Sequence, residues 1–121
     1  MHNLSELKIW NKAIDLGVEV YKVISKFPAD ERFGLSSQIK RAAVSISANI
    51  AEGAGRNSNN EFVHFLGIAN GSAYELLSHL VISNKLELIK ETDLKLLTGQ
   101  LEEIQKMNYS FQKLLKEKSQ I

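Results

Sequence analysis

From Leu7 to Leu115 apolar residues recur at steps of three and four, and the pattern breaks in only three places: around Pro28, from Gly53 to Asn60, and from Asn84 to Glu91. A chain with that period builds helices, because a 3.6-residue turn is what brings such positions onto one face. Four segments of about 20 residues, each roughly 30 Å long, joined by short connectors, pack as antiparallel neighbours. The expected fold is therefore all-α, an antiparallel up-down-up-down four-helix bundle, with residues 1–121 as one domain.

The first segment, Leu7 to Phe27, has two apolar stripes: Trp10, Ile14, Gly17, Tyr21 and Ile24, and beside them Ile9, Ala13, Leu16, Val20, Val23 and Phe27. An arc this wide predicts burial against more than one neighbour, within the bundle or across a subunit contact. The opposite face carries Lys8, Lys12, Asp15, Glu19, Lys22 and Lys26, spaced for Lys12–Asp15 and Glu19–Lys22 pairs. Pro28 ends the segment, since it lacks an amide hydrogen and turns the preceding residue out of the helical region.

The second segment, Leu35 to Gly55, is thin-sided. Ala43, Ser47, Ala51 and Gly55 recur every four positions, a ridge that a neighbouring helix can approach closely. Ser58 and Glu61 have capping-box spacing at the start of the third segment. There Phe62, Leu66, Ala69, Ala73, Leu76 and Leu80 form the apolar stripe. Gly67 and Gly71 lie one turn apart on it, and each interior glycine costs about 1 kcal/mol against alanine. Close packing against the small ridge is the expected compensation. Thr92 is the expected N-cap of the last helix. Its Leu94, Leu97, Leu101, Ile104, Asn108, Phe111 and Leu115 form a heptad seam with one polar member.

The absence of cysteine excludes disulfides, thiolate metal sites and Cys nucleophiles. No run of 18 apolar residues occurs, and the N-terminus has no cationic stretch followed by an apolar one, so membrane spanning and secretion are not expected. The expected location is the cytoplasm. Fifteen Lys and Arg against fourteen Asp and Glu give a net charge of +1, unlike a charge-driven nucleic-acid binder.

Candidate chemistry is sparse. His64 and His79 lie about four turns apart, beyond the span of one metal ion. Glu61 and His64 make one E-x-x-H pair, whereas a dimetal bundle needs two. No G-x-S-x-G nucleophile pattern occurs, and EGAGRNS lacks the G-x-x-x-x-G-K-[ST] of a phosphate loop. No catalytic residue, metal site or cofactor is expected. Glu52, Arg56 and Glu61 instead suit a clamp at the corner between the second and third helices, with the arginine between two carboxylates; contact with a ligand is the other use open to them.

The run Q-x-x-R-A-A-x-S-I-x-x-N-I-A-E-G-x-G-R, from Gln38 to Arg56, resembles the four-helix-bundle proteins encoded in 23S rRNA intervening sequences. The likeness continues through Glu61, Phe62, Phe65, Leu66 and the stretch Ile68 to Leu76. It extends back over Leu7, Trp10, Tyr21, Phe27, Pro28 and Gly34, so that residues 4 to 88 are covered; the last helix matches in period alone. The resemblance implies a small bundle that assembles into a ring, typically a homopentamer. It also implies distant similarity to the accessory proteins of diversity-generating retroelements, basic pentamers that bind nucleic acid and a reverse transcriptase.

The motif residues it carries over are Arg41, Asn49, Glu52, Gly53, Arg56, Glu61, Gly71, Ser72 and Glu75, expected to be architectural, and no catalytic residues come with it. The resulting expectation is a non-enzymatic oligomer whose ring multiplies a modest basic patch of Lys8, Lys12, Lys22, Lys26, Lys40 and Arg41 for RNA or DNA. The alternative is an adaptor that binds a protein partner and has no affinity for nucleic acid.

Overall fold

The computed structural model describes residues 2–31 and 33–119. They form four long helices and, among the described residues, no strand: α1 Lys8–Ile24, α2 Leu35–Ala54, α3 Asn59–Lys85 and α4 Glu91–Ser119. Short 3-10 turns at Leu4–Glu6 and Ala29–Glu31 precede α1 and α2. Helix α3 packs most extensively on α2, and α4 packs on α3 and closes back on α1, which completes the four-helix bundle.

The start of α1 is tied down by Asn11, whose Nδ2 donates to the carbonyls of Ser5 and Leu7, both at 3.0 Å. At its other end the amide of Phe27 donates to the Ile24 carbonyl just before Pro28 stops the chain from continuing. One of the two α1 stripes goes into the core: Ile9, Ala13, Leu16, Val20 and Val23 are buried and Phe27 is half-buried, and Ile24 of the other stripe is buried with them. They meet Ile39, Ile46 and Ile50 of α2, Phe62, Leu66, Leu76 and Leu80 of α3, and Leu97, Leu101 and Ile104 of α4 in one core. Each such side chain contributes about 1.5–3 kcal/mol by leaving water.

Ser58 caps α3 as its spacing predicts: its Oγ accepts from the Glu61 amide and donates to the Glu61 carboxylate, both at 3.2 Å. Thr92 does not cap α4. The Lys90 carbonyl already accepts from the Leu94 amide at 2.9 Å, which places Thr92 inside the first turn. Glu91 and Asp93 in that turn put negative charge at the positive end of the helix dipole. Helix α3 ends with Glu87 at φ 63°, and the Leu88 amide reaches back to the Ser83 carbonyl at 2.9 Å. This is a Schellman closure with a glutamate where glycine is usual.

The glycines are distributed otherwise than their spacing suggests. Gly53 is the tight one: a Cβ there would lie 2.7 Å from Phe62 Cδ1 and 2.9 Å from Phe65 Cβ. Gly67 and Gly71 face open space, with no neighbour within 4 Å of the position of a Cβ. The small ridge of α2 turns outward along its length, from buried Ala43 through half-buried Ser47 and Ala51 to exposed Gly55. The close approach of α3 therefore falls off the ridge, at buried Gly53, where Phe62 and Phe65 of α3 meet α2.

Candidate functional site

Between α2 and α3 the motif residues build a polar stitch. Ser45 Oγ and Ser72 Oγ lie 2.8 Å apart across the helix pair, and Asn49 Nδ2 donates to Ser45 Oγ at 2.9 Å and to the Ser45 carbonyl at 2.8 Å. Ser72 is buried and Asn49 half-buried, so these groups are occupied with one another. At the corner, Arg56 donates to Glu52 Oε1 at 2.6 Å, and its guanidinium carbon sits 4.7 Å from the centroid of the Phe65 ring. The expected clamp with two carboxylates is thus a clamp with one. Glu61 is spent on Ser58, and the second contact of the arginine is an aromatic face, worth about 0.5–1 kcal/mol at an exposed site.

Glu75 pairs with His79, Oε1 to Nε2 at 3.3 Å, on one side of α3, and Gly71 lies exposed one turn before it. His64 is exposed with its ring against Phe65. His2 packs edge-on to Phe62, 4.9 Å between centroids, and Phe62 meets Phe111 at 5.1 Å. Each histidine therefore has its own local partner. Among the described residues no three His, Asp or Glu side chains converge as a metal site would require.

The six cations singled out above are spread over two helices, and three of them are engaged. Lys12 pairs with Glu103 at 3.1 Å rather than with Asp15, Lys22 pairs with Glu19 at 3.6 Å, and Lys26 with Asp93 at 3.8 Å. Lys40 lies 5.2 Å above the Tyr21 ring, half-buried, while Lys8 and Arg41 project into solvent. The first of the ion pairs joins α1 to α4, and the third joins the turn just after α1 to the start of α4.

Beside its charged face, α1 also leaves apolar residues uncovered. Ile14, Val18 and Tyr21 are 38%, 50% and 45% exposed. With Gly17, Lys22 and, from α2, Val44 and Ser47 they line an open groove of about 520 Å³. Spacing identified Ile14, Gly17 and Tyr21 as members of a wide arc. It missed Val18, which lies one turn from Ile14 on the same face, and Val44, which joins this surface only when α1 and α2 are set side by side. No helix of the described residues is long and apolar enough to cross a membrane.

The chain matches the family model of the 23S rRNA-intervening sequence protein over residues 5–110. Its fold is similar to the crystal structure of a protein of unknown function from the S23 ribosomal protein family of Bacteroides thetaiotaomicron. The TM-score is 0.81 and the identity 26%, over 87% of this chain and 98% of the other. No curated protein matches the chain.

Proposed function

This chain belongs to the 23S rRNA-intervening sequence protein family, and from that premise we propose that it is a non-enzymatic subunit of a homo-oligomer, a homopentamer, serving as a nucleic-acid-associated or scaffold module. The observation that carries this reading is the apolar groove of Ile14, Val18, Tyr21 and Val44, open to water in the single subunit. A contiguous exposed apolar patch is a mark of an interaction surface.

A ring needs two different patches on each subunit, because a head-to-tail contact joins unlike surfaces. A second patch is present on α3, where Tyr74, Val81 and Ile82 are 61%, 36% and 46% exposed and helical geometry sets them on one face. The non-enzymatic part of the reading is supported by the employment of the acidic motif residues: Glu52 holds Arg56, Glu61 closes a cap, and Glu75 holds His79.

Light scattering tests the assembly. At micromolar concentration the wild-type mass is expected to be a multiple of 13.6 kDa, and Val18→Glu, which puts a charge into the groove without touching the core, is expected to return it to a single subunit. A wild-type monomer overturns the reading.

For nucleic acid, Lys8, Lys40 and Arg41 repeated around a ring supply the attraction, and binding then falls as salt rises. The pairing of Lys12, Lys22 and Lys26 with carboxylates favours the second reading, a protein-binding adaptor with no affinity for nucleic acid. A salt series with RNA and DNA separates the two: salt-sensitive binding upholds the first, and no binding at low salt leaves the adaptor.

A further inference from the structure

The C-terminal half of α4 differs in chemistry from the groove described above. Between residues 105 and 118 it carries Lys106, Lys113, Lys116 and Lys118 against the single acid Glu117. Among the described residues Lys106, Lys113 and Lys116 make no ion pair, in contrast to Lys12 and Lys22 of α1 and Lys26 just after it. Where this half of α4 passes the middle of α3 there is a cleft of about 280 Å³, lined by Asn70, Gln105, Tyr109, Gln112, Lys113 and Lys116 over Asn108.

The floor of the cleft is fixed. Asn108, buried, donates from Nδ2 to the Leu66 carbonyl at 2.9 Å, and its Oδ1 accepts from Gln112 Nε2 at 2.6 Å. The wall is not satisfied. Gln105 Nε2 is buried with no hydrogen-bond partner, a condition that costs about 1–3 kcal/mol and that a turn of this half-buried side chain toward an acceptor in the cleft would relieve. Tyr109 stands 73% exposed beside it and separates this cleft from a wider one of about 510 Å³ that reaches Glu102, Lys106 and Ser110.

Three kinds of recognition thus meet within one small volume. Two unpaired ammonium groups attract phosphate, amides read the donor and acceptor edge of a base or the hydroxyls of a ribose, and an exposed phenol ring offers a stacking face. We infer that the cleft between α3 and the C-terminal half of α4 binds a nucleotide, with its phosphate toward Lys113 and Lys116, its base on Tyr109 and its polar edge on Asn70 and Gln105. The site shares no lining residue with the α1/α2 groove.

Amide-resolved NMR titration of the full chain tests it, with AMP, GMP, CMP and UMP, a short single-stranded RNA, and ribose 5-phosphate and inorganic phosphate as probes that lack the base. Nucleotides are expected to shift the side-chain amides of Gln105 and Asn70. Lys113→Gln with Lys116→Gln is expected to weaken them about tenfold or more and to flatten the salt dependence. Tyr109→Leu is expected to weaken nucleotides about tenfold and to leave inorganic phosphate unchanged.

Response to free nucleotides identifies a diffusible ligand and response to the RNA alone a nucleotide carried in a chain; both uphold the site. Equal binding of ribose 5-phosphate and AMP, indifference to Tyr109→Leu, or unmoved Gln105 and Asn70 resonances with every probe at low salt overturns it. The variants replace surface side chains, and loss of assembly in light scattering leaves the titration interpretable.

Discussion

Helix α3 has two seams built on different rules. Against α2 the tight contact is made by small residues, with Gly53 under Phe62 and Phe65 and a serine pair across the interface. Against α4 it is made by bulk, with Leu97, Leu101, Ile104 and Leu115 in a heptad row. The first seam depends on the shape of individual residues, and the second on their period. Close-packed interiors tolerate exchange among hydrophobic residues of similar volume far better than the addition of even one methyl group where no space exists.

Adding a methyl group at Gly53 tests that difference most severely. A Cβ at 2.7 Å and 2.9 Å from Phe62 and Phe65 has to push α3 away. Gly53→Ala is therefore expected to cost about 2–3 kcal/mol, read as a lower urea midpoint at unchanged slope. A midpoint equal to wild type would show that α2 and α3 are not in close contact there.

The same substitution on the solvent side of α3 is expected to act in the opposite direction. Nothing lies within 4 Å of a Cβ at Gly67, so Gly67→Ala removes only the conformational freedom of the unfolded chain and gains about 0.8–1 kcal/mol. Measured in the Val18→Glu background, the gain is free of any contribution from assembly. A loss instead would mean that Gly67 is packed.

The smallest effect is expected where α4 meets α1 through charge. Lys12 and Glu103 are about half exposed, at 48% and 52%. Water and salt screen such a pair, and Lys12→Ala is expected to cost about 0.2–0.5 kcal/mol and to cost less as salt rises. A salt-insensitive loss beyond 1 kcal/mol would place that lysine's stem, rather than its charge, in the seam.

These contrasts mark what a linear sequence conveys. Period is local, so the four helices, the α4 seam and the Ser58–Glu61 cap could be read directly from residue spacing. Facing is not local. Gly53, Gly55, Gly67 and Gly71 are equivalent as letters, and which of them meets another helix depends on the rotation of each helix about its axis, fixed by Ile39, Ile46 and Ile50 for α2 and by Phe62, Leu66 and Leu76 for α3. Likewise Arg56 has two carboxylates within reach along the chain, and the competition is settled by Ser58, which holds Glu61 first. The groove and the amide cleft were illegible for a further reason: each is one helix face closed on its far side by residues of a second helix, Val44 and Ser47 for the groove and Asn70 for the cleft, and only packing brings those in.

The hydrogen bond from Asn108 to the Leu66 carbonyl also bears on how α4 can slide. A heptad row has no intrinsic zero, since displacing the helix by seven residues sets leucine against the sites leucine left. Such a slip brings Leu101 or Leu115 to the place of Asn108 and buries the asparagine amide elsewhere with no acceptor, at a cost of about 1–3 kcal/mol. One polar residue in an oily row thus works as a detent, giving up a little stability so that a helix of interchangeable leucines stops at a single position.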